Sequence, residues 1–263
     1  MPTLRMEGVT FRAGGSVLLH EASLAFRSGE LTAVIGPSGC GKSTLLKCLT
    51  TTHRPAGGRV TLDGKDVWEM RGPYRLALGY VPQDDVIHPQ LTVAEAFEFS
   101  SGLRLDTDLP PADVRRRIGS TAAALGLAAA KDRRIRRLSG GQRKRVNIGI
   151  ELLAEPQVLI LDEPASGLDP GTEEDLVKLL SCLARGGRTV VTTTHSMEYL
   201  AAFDRIVMLA AGWVVFCGTR PELLAHFGVA HEAEVFKAVR AKPAESWAAL
   251  YRRSPLAAQA LRN

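Results

Sequence analysis

The chain has 263 residues, of which 45% are hydrophobic and 23% charged, so it is long enough to bury a sizeable core and its composition excludes wholesale disorder. The net charge of +5 suits nucleic acid, an anionic membrane surface or phosphate ligands alike, so charge alone does not identify a partner. The four cysteines lack CxxC spacing and neighbouring histidines, which predicts reduced structural thiols and argues against a zinc site or a disulfide framework.

Two segments bear on the compartment of the chain. The first residues lack the apolar core of a signal peptide, which predicts a cytoplasmic location. The longest apolar stretch, residues 206–218, is too short to span a bilayer and is interrupted by Ala211 and Gly212, so it predicts two short strands joined by a tight turn. We therefore expect any work at a membrane to require a membrane partner or a membrane segment outside this sequence.

Short apolar runs alternate with helical patterns and predict an α/β fold with a mostly parallel sheet that is buried on both faces. The N-terminal segment differs, because period-two patterns around Val9 and Phe11 predict an antiparallel β subdomain. Between Gln83 and Leu138 the β signal disappears, and stretches starting at Thr92 and spanning 111–127 predict an inserted α-helical subdomain. The buried strands are expected at 31–35, 158–162, 190–194 and 206–210.

These patterns predict one domain with three parts. Residues 1–83 and 141–227 form the core with its antiparallel β subdomain, residues 84–140 form the helical subdomain, and residues 228–263 form a C-terminal helical tail. Four large side chains recur at helical spacing in the tail, which favours docking of the tail onto the core over a separate binding site. They are Phe236, Val239, Trp247 and Tyr251.

The segment GPSGCGKST follows a predicted strand and precedes an apolar-faced helix, the context that a phosphate-binding P-loop requires. Glycines let main-chain N–H groups turn inward around a phosphate, and the helix N-terminus adds its positive dipole end. Lys42 is expected to reach the β- and γ-phosphates of a nucleotide, and Ser43 to ligate Mg²⁺. The alternative, a chance glycine-rich turn, is disfavoured by the flanking strand and helix. The predicted nucleotide-binding residues are Gly36, Pro37, Ser38, Gly39, Cys40, Gly41, Lys42, Ser43 and Thr44.

The segment VLILDEP brings two carboxylates to the carboxyl end of a buried strand, where the ligands of open α/β sheets collect. Asp162 is expected to hold the Mg²⁺ shell. Glu163 is expected to accept a proton from a water that attacks the γ-phosphate in line. Taken alone, such an acidic pair could equally be a solvated turn.

A second glycine-containing turn, LSGGQ, opens another helix and predicts a second anion cradle formed by Ser139, Gly140, Gly141 and Gln142. The cations at 143–145 oppose the helix dipole at a cost of about 0.3–1 kcal/mol each, which a bound phosphate would offset. For each cation individually, a solvated face is the preferred alternative. One nucleotide cannot use both cradles of one chain. The pattern therefore favours a head-to-tail homodimer with each ATP between Lys42 of one copy and Ser139 of the other.

In this order, GPSGCGKST, YVPQDD, LSGGQ, VLILDEP, SGLD and TTTHS resemble the nucleotide-binding domain of ABC transporters over nearly the whole chain. The resemblance implies a P-loop NTPase fold with a RecA-like core, hydrolysis of Mg-ATP, and a transmembrane partner at the cytoplasmic face of the membrane. It also implies that Gln83 links Mg²⁺ and the attacking water to the helical subdomain, that His195 contacts the γ-phosphate, and that Asp169 shapes the dimer interface. A helix N-cap before Pro170 is a further role open to Asp169.

Finer features resemble the G subfamily of exporters, namely QDD, LTVAEAFEFSSGLRL and the run RKRVNIGIELL directly after LSGGQ. The tail is similar to that of bacterial members whose cassette is fused to a forkhead-associated domain and a membrane domain. This leaves open whether the sequence is an excised piece or a separate subunit.

The rival function class is a cassette ATPase that acts on DNA or ribosomes, which the basic balance and the run RRIRR at 133–137 favour. Those relatives usually carry two cassettes or a long coiled-coil insertion, and this sequence has neither. We therefore expect no specific nucleic-acid partner. A P-loop kinase or GTPase is a weaker alternative because it leaves LSGGQ unexplained.

One position departs from the family pattern. Many ABC cassettes stack adenine on an aromatic residue ahead of the P-loop, but Ala13 occupies that position here. Phe11 lies on the same strand face two residues earlier and is expected to belong to the core. The sequence therefore leaves open how a base would be held.

Overall fold

A computed structural model of the protein describes residues 3–105 and 109–261, so the extreme ends of the predicted domain and tail lie outside the described residues. The strands are β1 (Thr3–Ala13), β2 (Ser16–Arg27), β3 (Leu31–Ile35), β4 (Gly57–Leu62), β5 (Lys65–Asp66), β6 (Leu78–Val81), β7 (Val158–Leu161), β8 (Thr189–Thr193), β9 (Arg205–Ala210) and β10 (Trp213–Gly218). Within the described residues they form one sheet in the order β5-β4-β1-β2-β10-β9-β3-β8-β7-β6.

The helices surround this sheet. They are α1 (Lys42–Leu49), α2 (Arg71–Ala77), α3 (Val93–Arg104), α4 (Pro111–Ala124), α5 (Gly140–Leu152), α6 (Pro170–Arg185), α7 (Arg220–Phe227), α8 (Val235–Arg240), α9 (Ala244–Arg253) and α10 (Pro255–Leu261). No helix in the described parts of the chain combines the length and the apolar character needed to cross a bilayer.

The half of the sheet built on β3 is parallel, as predicted. Strand β3 lies between β8 and β9, and β7 and β6 follow on the far side of β8. The register pairs Val34 with Thr193 and Leu161 with Thr192. The carboxyl ends of these strands therefore coincide, so the loops that follow them meet at one edge of the sheet.

Every residue of β3 is buried, and successive side chains enter two different cores. Ala33 packs in a cluster with residues of α5 and α6, whereas Val34 packs in a cluster with residues of α1. Helices thus cover both faces, which explains why the strand reads as a continuous apolar run. Strands β9 and β10 form the predicted hairpin, and both turn residues, Ala211 and Gly212, have positive φ (43° and 79°).

The N-terminal half of the sheet is antiparallel, as predicted. Strand β1 pairs with β2 and β4, and β4 pairs with β5. The two halves of the sheet meet where β2 lies beside β10, and the strand register there consists of a single parallel pair, Trp213 with His20. We call this contact the sheet junction. The ring planes of Trp213 and His20 stack across it, with centroids 4.3 Å apart.

Helices α3, α4 and α5 pack together between β6 and β7 in the chain. Thr92 caps α3 and forms a reciprocal capping box with Glu95, which accounts for the start of that helix. Helix α4 was predicted to run to Leu127 but ends at Ala124, because Gly126 adopts φ 66° and the chain turns there. Helices α3 and α5 approach so closely that a Cβ on Gly149 would lie 2.5 Å from the ring of Phe97.

The tail docks on the core, as predicted. Val239, Trp247 and Tyr251 are buried, but Phe236 is only partly buried and Val235 takes the buried position instead. Phe236 nevertheless packs against the same core cluster as Val239 and Trp247. Helix α9 spans the sheet junction because the guanidinium of Arg252 lies over the ring of Trp213 and within 3.6 Å of Glu21 on β2.

Candidate functional site

The loop after β3 is shaped by three glycines with positive φ. These are Gly36 (153°), Gly39 (74°) and Gly41 (106°), conformations that are costly for residues with a side chain. At Gly36 a Cβ would also lie 2.3 Å from the carbonyl oxygen of Leu209, so the loop can pass the neighbouring strand only without a side chain. The loop is tied to the β9–β10 turn by a hydrogen bond from the Gly212 amide to the carbonyl of Cys40 (2.9 Å). Helix α1 begins directly afterwards.

Lys42 lies in the first turn of α1 and is only 5% exposed. Its ammonium donates to the carbonyl oxygens of Gly36 (3.0 Å) and Pro37 (3.4 Å), which are neutral acceptors. No carboxylate among the described residues forms a salt bridge with it. A buried cation without a counter-charge is costly, so this geometry calls for an anion from outside the chain.

Two acidic residues follow β7 at the same edge of the sheet. Asp162 is 6% exposed and accepts a hydrogen bond from the Thr193 hydroxyl (2.7 Å). The same hydroxyl oxygen accepts from the main-chain N–H of Glu163 (2.7 Å). Thr193 at the end of β8 thus fixes the positions of both carboxylates. The sequence analysis missed this role, and its only signal was a hydroxyl at the end of a buried strand.

The carboxylate of Glu163 is shared between two of the predicted site residues. Its Oε1 lies 2.5 Å from Nε2 of His195, and its Oε2 accepts from the side-chain amide of Gln83 (3.3 Å). Glu163 also has φ 46°, an uncommon conformation for a residue with a side chain. Backbone strain of this kind is often retained at functional sites. Three loops therefore converge on this one carboxylate.

A cleft of about 370 Å³ lies between these groups. Gln83, Glu163 and His195 line it together with residues of the P-loop. The P-loop residues that line it are Ser38, Gly39, Gly41, Lys42, Ser43 and Thr44. Asp162 and Cys40 are buried and do not line the cleft.

Leu18 also lines the cleft, and it was not predicted as a site residue. Its side chain is 40% exposed although it belongs to strand β2. The available signal was the pair Leu18-Leu19, because successive strand residues face opposite ways and Leu19 takes the core side. Ala13 is exposed at the end of β1. Phe11 packs against the core as predicted and stacks on His53, with centroids 4.7 Å apart.

The segment Ser139–Gln142 lies elsewhere, and none of its residues lines the cleft. Ser139 caps α5: its hydroxyl accepts from the Gln142 amide, and its own N–H donates to the Gln142 side chain, both at 3.2 Å. Gly141 is required where α5 passes α6, because a Cβ there would lie 2.3 Å from the methyl of Thr172. This turn therefore satisfies its own hydrogen bonds within one chain.

The three cations after this turn have partners within the chain, which contradicts the prediction of a solvated basic face. Arg143 donates to the carbonyl of Leu138 (2.9 Å), and Arg145 to that of Leu125 (3.2 Å). Lys144 is 9% exposed and forms a salt bridge with Asp85 (3.1 Å). A phosphate is therefore not needed to compensate these charges, because carbonyl oxygens and the carboxylates of Asp85 and Asp175 already do so.

Asp169 is the N-cap of α6, as its position before Pro170 suggested. Its carboxylate accepts from the amide (3.0 Å) and the hydroxyl (2.6 Å) of Thr172. These hydrogen bonds lower the pKa of Asp169. The capping role is thus present in the single chain.

Comparison with known proteins is consistent with this geometry. The family model described as ABC transporter matches residues 19–166. The ABC transporter ATP-binding/permease protein Rv1747 of Mycobacterium tuberculosis is 41% identical over 242 residues, which cover 91% of this chain but 28% of that protein. The mouse broad substrate specificity ATP-binding cassette transporter ABCG2 is 38% identical over 209 residues, covering 76% of this chain and 31% of its own length.

Among solved structures, cbiO1 from Clostridium perfringens superposes with a TM-score of 0.79 at 29% identity. The superposition covers 93% of this chain and 96% of cbiO1, which is described as part of the ABC transporter complex cbiONQ. The chain thus spans under a third of the length of the two transporters named above and nearly all of an ATP-binding subunit of known structure.

Proposed function

The chain belongs to the ABC transporter family, whose ATP-binding domains are ATPases, and from that premise we propose that it hydrolyses Mg-ATP between two copies of itself to drive a membrane transporter. The observation that carries this proposal is the buried ammonium of Lys42, which has neutral acceptors alone inside a loop of inward-turned glycines. The β- and γ-phosphates of ATP are the anions that fit this position.

The residues around the cleft also suit Mg²⁺. Asp162 is buried and has a hydrogen bond only from Thr193 among the described residues, so it retains oxygen lone pairs for a cation. Together with the hydroxyl of Ser43 and the side-chain oxygen of Gln83 it offers the hard oxygen ligands that Mg²⁺ prefers. When bound, the metal would neutralise charge that develops on the phosphates.

In the hydrolytic step, Glu163 is the general base. The oxygen of a water attacks the γ-phosphorus, the bond to the β,γ-bridging oxygen breaks, and Glu163 accepts the proton of the water, which yields ADP and inorganic phosphate. His195 contacts one oxygen of this carboxylate and Gln83 donates to the other, so they orient the base. In this proposal His195 also contacts the γ-phosphate.

The proposal includes a second copy because none of the residues of the cradle at Ser139–Gln142 lines the cleft of its own chain. In a head-to-tail dimer, these residues would complete the site of the partner, with Asp169 beside the interface. The division of the domain is also part of the proposal. Residues 84–140 form a helical subdomain with the LSGGQ motif at its end. Residues 1–83 and 141–227 form the core, and residues 228–263 form the tail.

The test is the oligomeric state of Glu163→Gln with saturating Mg-ATP. Removing the base should prevent hydrolysis, so the ATP-bound dimer should accumulate, as sedimentation or light scattering would detect. Adding Ser139→Arg should return the protein to a monomer, because the bulky side chain fills the cradle. Ser139→Ala is the matched comparison, since it removes the same helix cap and hydroxyl without adding bulk, and it should weaken the dimer less than Ser139→Arg does.

The wild-type enzyme offers a second measurement. Because the free chains are expected to be mostly monomeric, ATPase activity per molecule should rise with protein concentration. If Glu163→Gln with ATP stays monomeric at high concentration and wild-type activity per molecule does not change with concentration, the composite site is wrong.

The transporter role is supported by the similarity to a transporter of the G type and by an exposed apolar face on the helical region. Phe99 and Leu103 lie one turn apart on α3 and are 66% and 73% exposed, which is the kind of surface that a partner covers. We propose that a transmembrane domain of a G-type exporter docks there, at the cytoplasmic face of the membrane. Sequence that continues beyond Asn263, or neighbouring genes, should encode apolar spans of about 20 residues. The absence of such spans both from any sequence after Asn263 and from the neighbouring genes would contradict this role.

A further inference from the structure

Asp85 lies two residues after Gln83 and makes three contacts with one helix. Its Oδ1 accepts from the side-chain amide of Asn147 (2.8 Å) and lies 3.1 Å from the ammonium of Lys144. Its Oδ2 lies 3.4 Å from Nε of Arg143. All three partners lie in the first two turns of α5. We name this set, Asp85 with Arg143, Lys144 and Asn147, the Asp85 clasp.

Lys144 connects the clasp to Gln83 itself. Its ammonium donates to the main-chain carbonyl of Gln83 at 2.6 Å, in addition to its salt bridge with Asp85. The side chain is 11% exposed, and Asp85 is its only ion-pair partner among the described residues. A buried cation is restricted to the position of its counter-charge, so Gln83, Asp85 and the second turn of α5 are held as one unit.

The two ends of this unit lie at the two predicted halves of the catalytic site. At one end, the side chain of Gln83 reaches Glu163 in the cleft. At the other end, α5 begins at its cap Ser139, which is little more than one turn from Lys144. The far end of α5 is anchored separately, because Glu151 accepts from Arg104 (2.6 Å) and from the amide of Tyr80 (3.1 Å). The clasp is thus a specific link between the cleft and the start of α5.

We propose that Asp85 is a positioning residue that transmits the movement of Gln83, when Mg-ATP enters the cleft, through Lys144 to the Ser139 end of α5. This inference rests on the proposed function, in which Ser139 completes the nucleotide site of a second copy. The neighbouring Asp84 is a natural reference, since it is exposed and forms no hydrogen bond or ion pair with the described residues.

The experiment compares Asp85→Asn, Lys144→Met and the double variant with Asp84→Asn as the matched control. Breaking the link should lower kcat about tenfold or more and change the KM for ATP less than about twofold, because the P-loop is untouched. The double variant should be no slower than the slower single variant, since both substitutions break the same link. Asp84→Asn should stay within about twofold of the wild type in both constants.

Amide hydrogen exchange supplies a readout that a merely structural contact would not change. At a dilution where the protein is monomeric, Mg-ATP should slow exchange in residues 139–147 of the wild type and of Asp84→Asn. The same addition should leave exchange there unchanged in Asp85→Asn and Lys144→Met. Because this readout uses the monomer, it distinguishes failure of the clasp from failure of the dimer.

Three results would overturn the inference. One is wild-type kcat in Asp85→Asn. Another is a rise in KM that matches the fall in kcat, which would mean damage to the nucleotide site. The third is nucleotide-dependent protection of residues 139–147 that persists in both single variants. If Asp85→Asn does not fold, as judged by its melting curve, the same criteria apply to Lys144→Met.

Discussion

The P-loop and the turn at Ser139–Gln142 are both glycine-containing turns that open a helix, yet their hydrogen bonding is opposite. In the P-loop the ammonium of Lys42 is buried against neutral carbonyls and has no counter-charge among the described residues. At the second turn, Ser139 and Gln142 satisfy each other. The first turn is therefore prepared for a phosphate, whereas the second must exchange bonds within its own chain for bonds to a partner's nucleotide. Most of the affinity for ATP should consequently come from the P-loop side.

The largest expected effect tests the chemistry on the P-loop side. Glu163→Gln should lower turnover by about 10²–10⁴-fold while Mg-ATP still binds, because the amide cannot accept the proton of the attacking water. Steady-state ATPase assays and equilibrium nucleotide binding measure the two quantities. Glu245→Gln on α9, at an exposed position, is the control and should leave both turnover and nucleotide binding unchanged. Undiminished turnover in Glu163→Gln would remove this residue from its role.

The next effect concerns binding itself. Lys42→Ala should weaken ATP binding by about 10–100-fold, because a charge-assisted hydrogen bond to phosphate contributes about 1.5–3 kcal/mol. Lys47→Ala on the same helix is exposed and should bind ATP normally. Isothermal titration would compare the variants. Equal affinity in Lys42→Ala and the wild type would contradict the contrast between the two turns.

A smaller effect concerns recognition of the adenine or guanine ring of the nucleotide. With Ala13 in place of an aromatic residue, the cleft lacks a stacking contact of about 1–3 kcal/mol, so recognition should depend on the phosphates. ATP and GTP should then be hydrolysed at rates within about tenfold of each other. Leu18→Ala should weaken both nucleotides alike, because an aliphatic side chain does not read base edges. A strong preference for ATP would show that another residue reads the base.

The smallest effect separates the two roles of Ser139. Ser139→Ala should lower the stability of the monomer by about 0.5–2 kcal/mol through loss of the helix cap, and should leave ATP binding by the monomer unchanged. Thr92→Ala removes an equivalent cap from α3 and is the matched comparison. Urea unfolding would measure both. If monomer binding falls in Ser139→Ala alone, the second turn contributes to the cleft of its own chain.

The sequence predicts most reliably where one interaction determines the local structure. Strand β3 was predicted with its observed bounds because burial on both faces makes it apolar throughout. Gln83 and His195 were expected beside Glu163 only because the order of the motifs resembles that of ABC cassettes, and the structure brings the three side chains together at the shared edge of the parallel strands. Their catalytic roles remain proposals. The same pattern reasoning failed for the end of α4, where a glycine turn ends the helix before Leu127. In α8 it identified Phe236, which packs against the core, but missed Val235, which is more deeply buried.

Contacts between side chains from distant segments could not be predicted. Thr193 binds Asp162 across neighbouring strands, and Asp85 meets Lys144 from 59 positions away along the chain. In the sequence, Lys144 is one of three adjacent cations, and a solvated face was the natural interpretation of such a run. Only the packing of α5 against the segment after β6 reveals that one of the three is buried.

Heat should reveal how strongly the two halves of the sheet depend on one another. Strands β2 and β10 pair through Trp213 and His20, and α9 bridges them from outside through Arg252. Leu18 belongs to the antiparallel half and the P-loop to the parallel half, so a nucleotide in the cleft would contact both. The two halves also share one hydrophobic cluster, in which Leu24 and Phe26 of β2 lie with Val34 of β3, so we expect them to melt in a single calorimetric transition. Mg-ATP should raise the temperature of that transition, because the nucleotide binds only the folded chain.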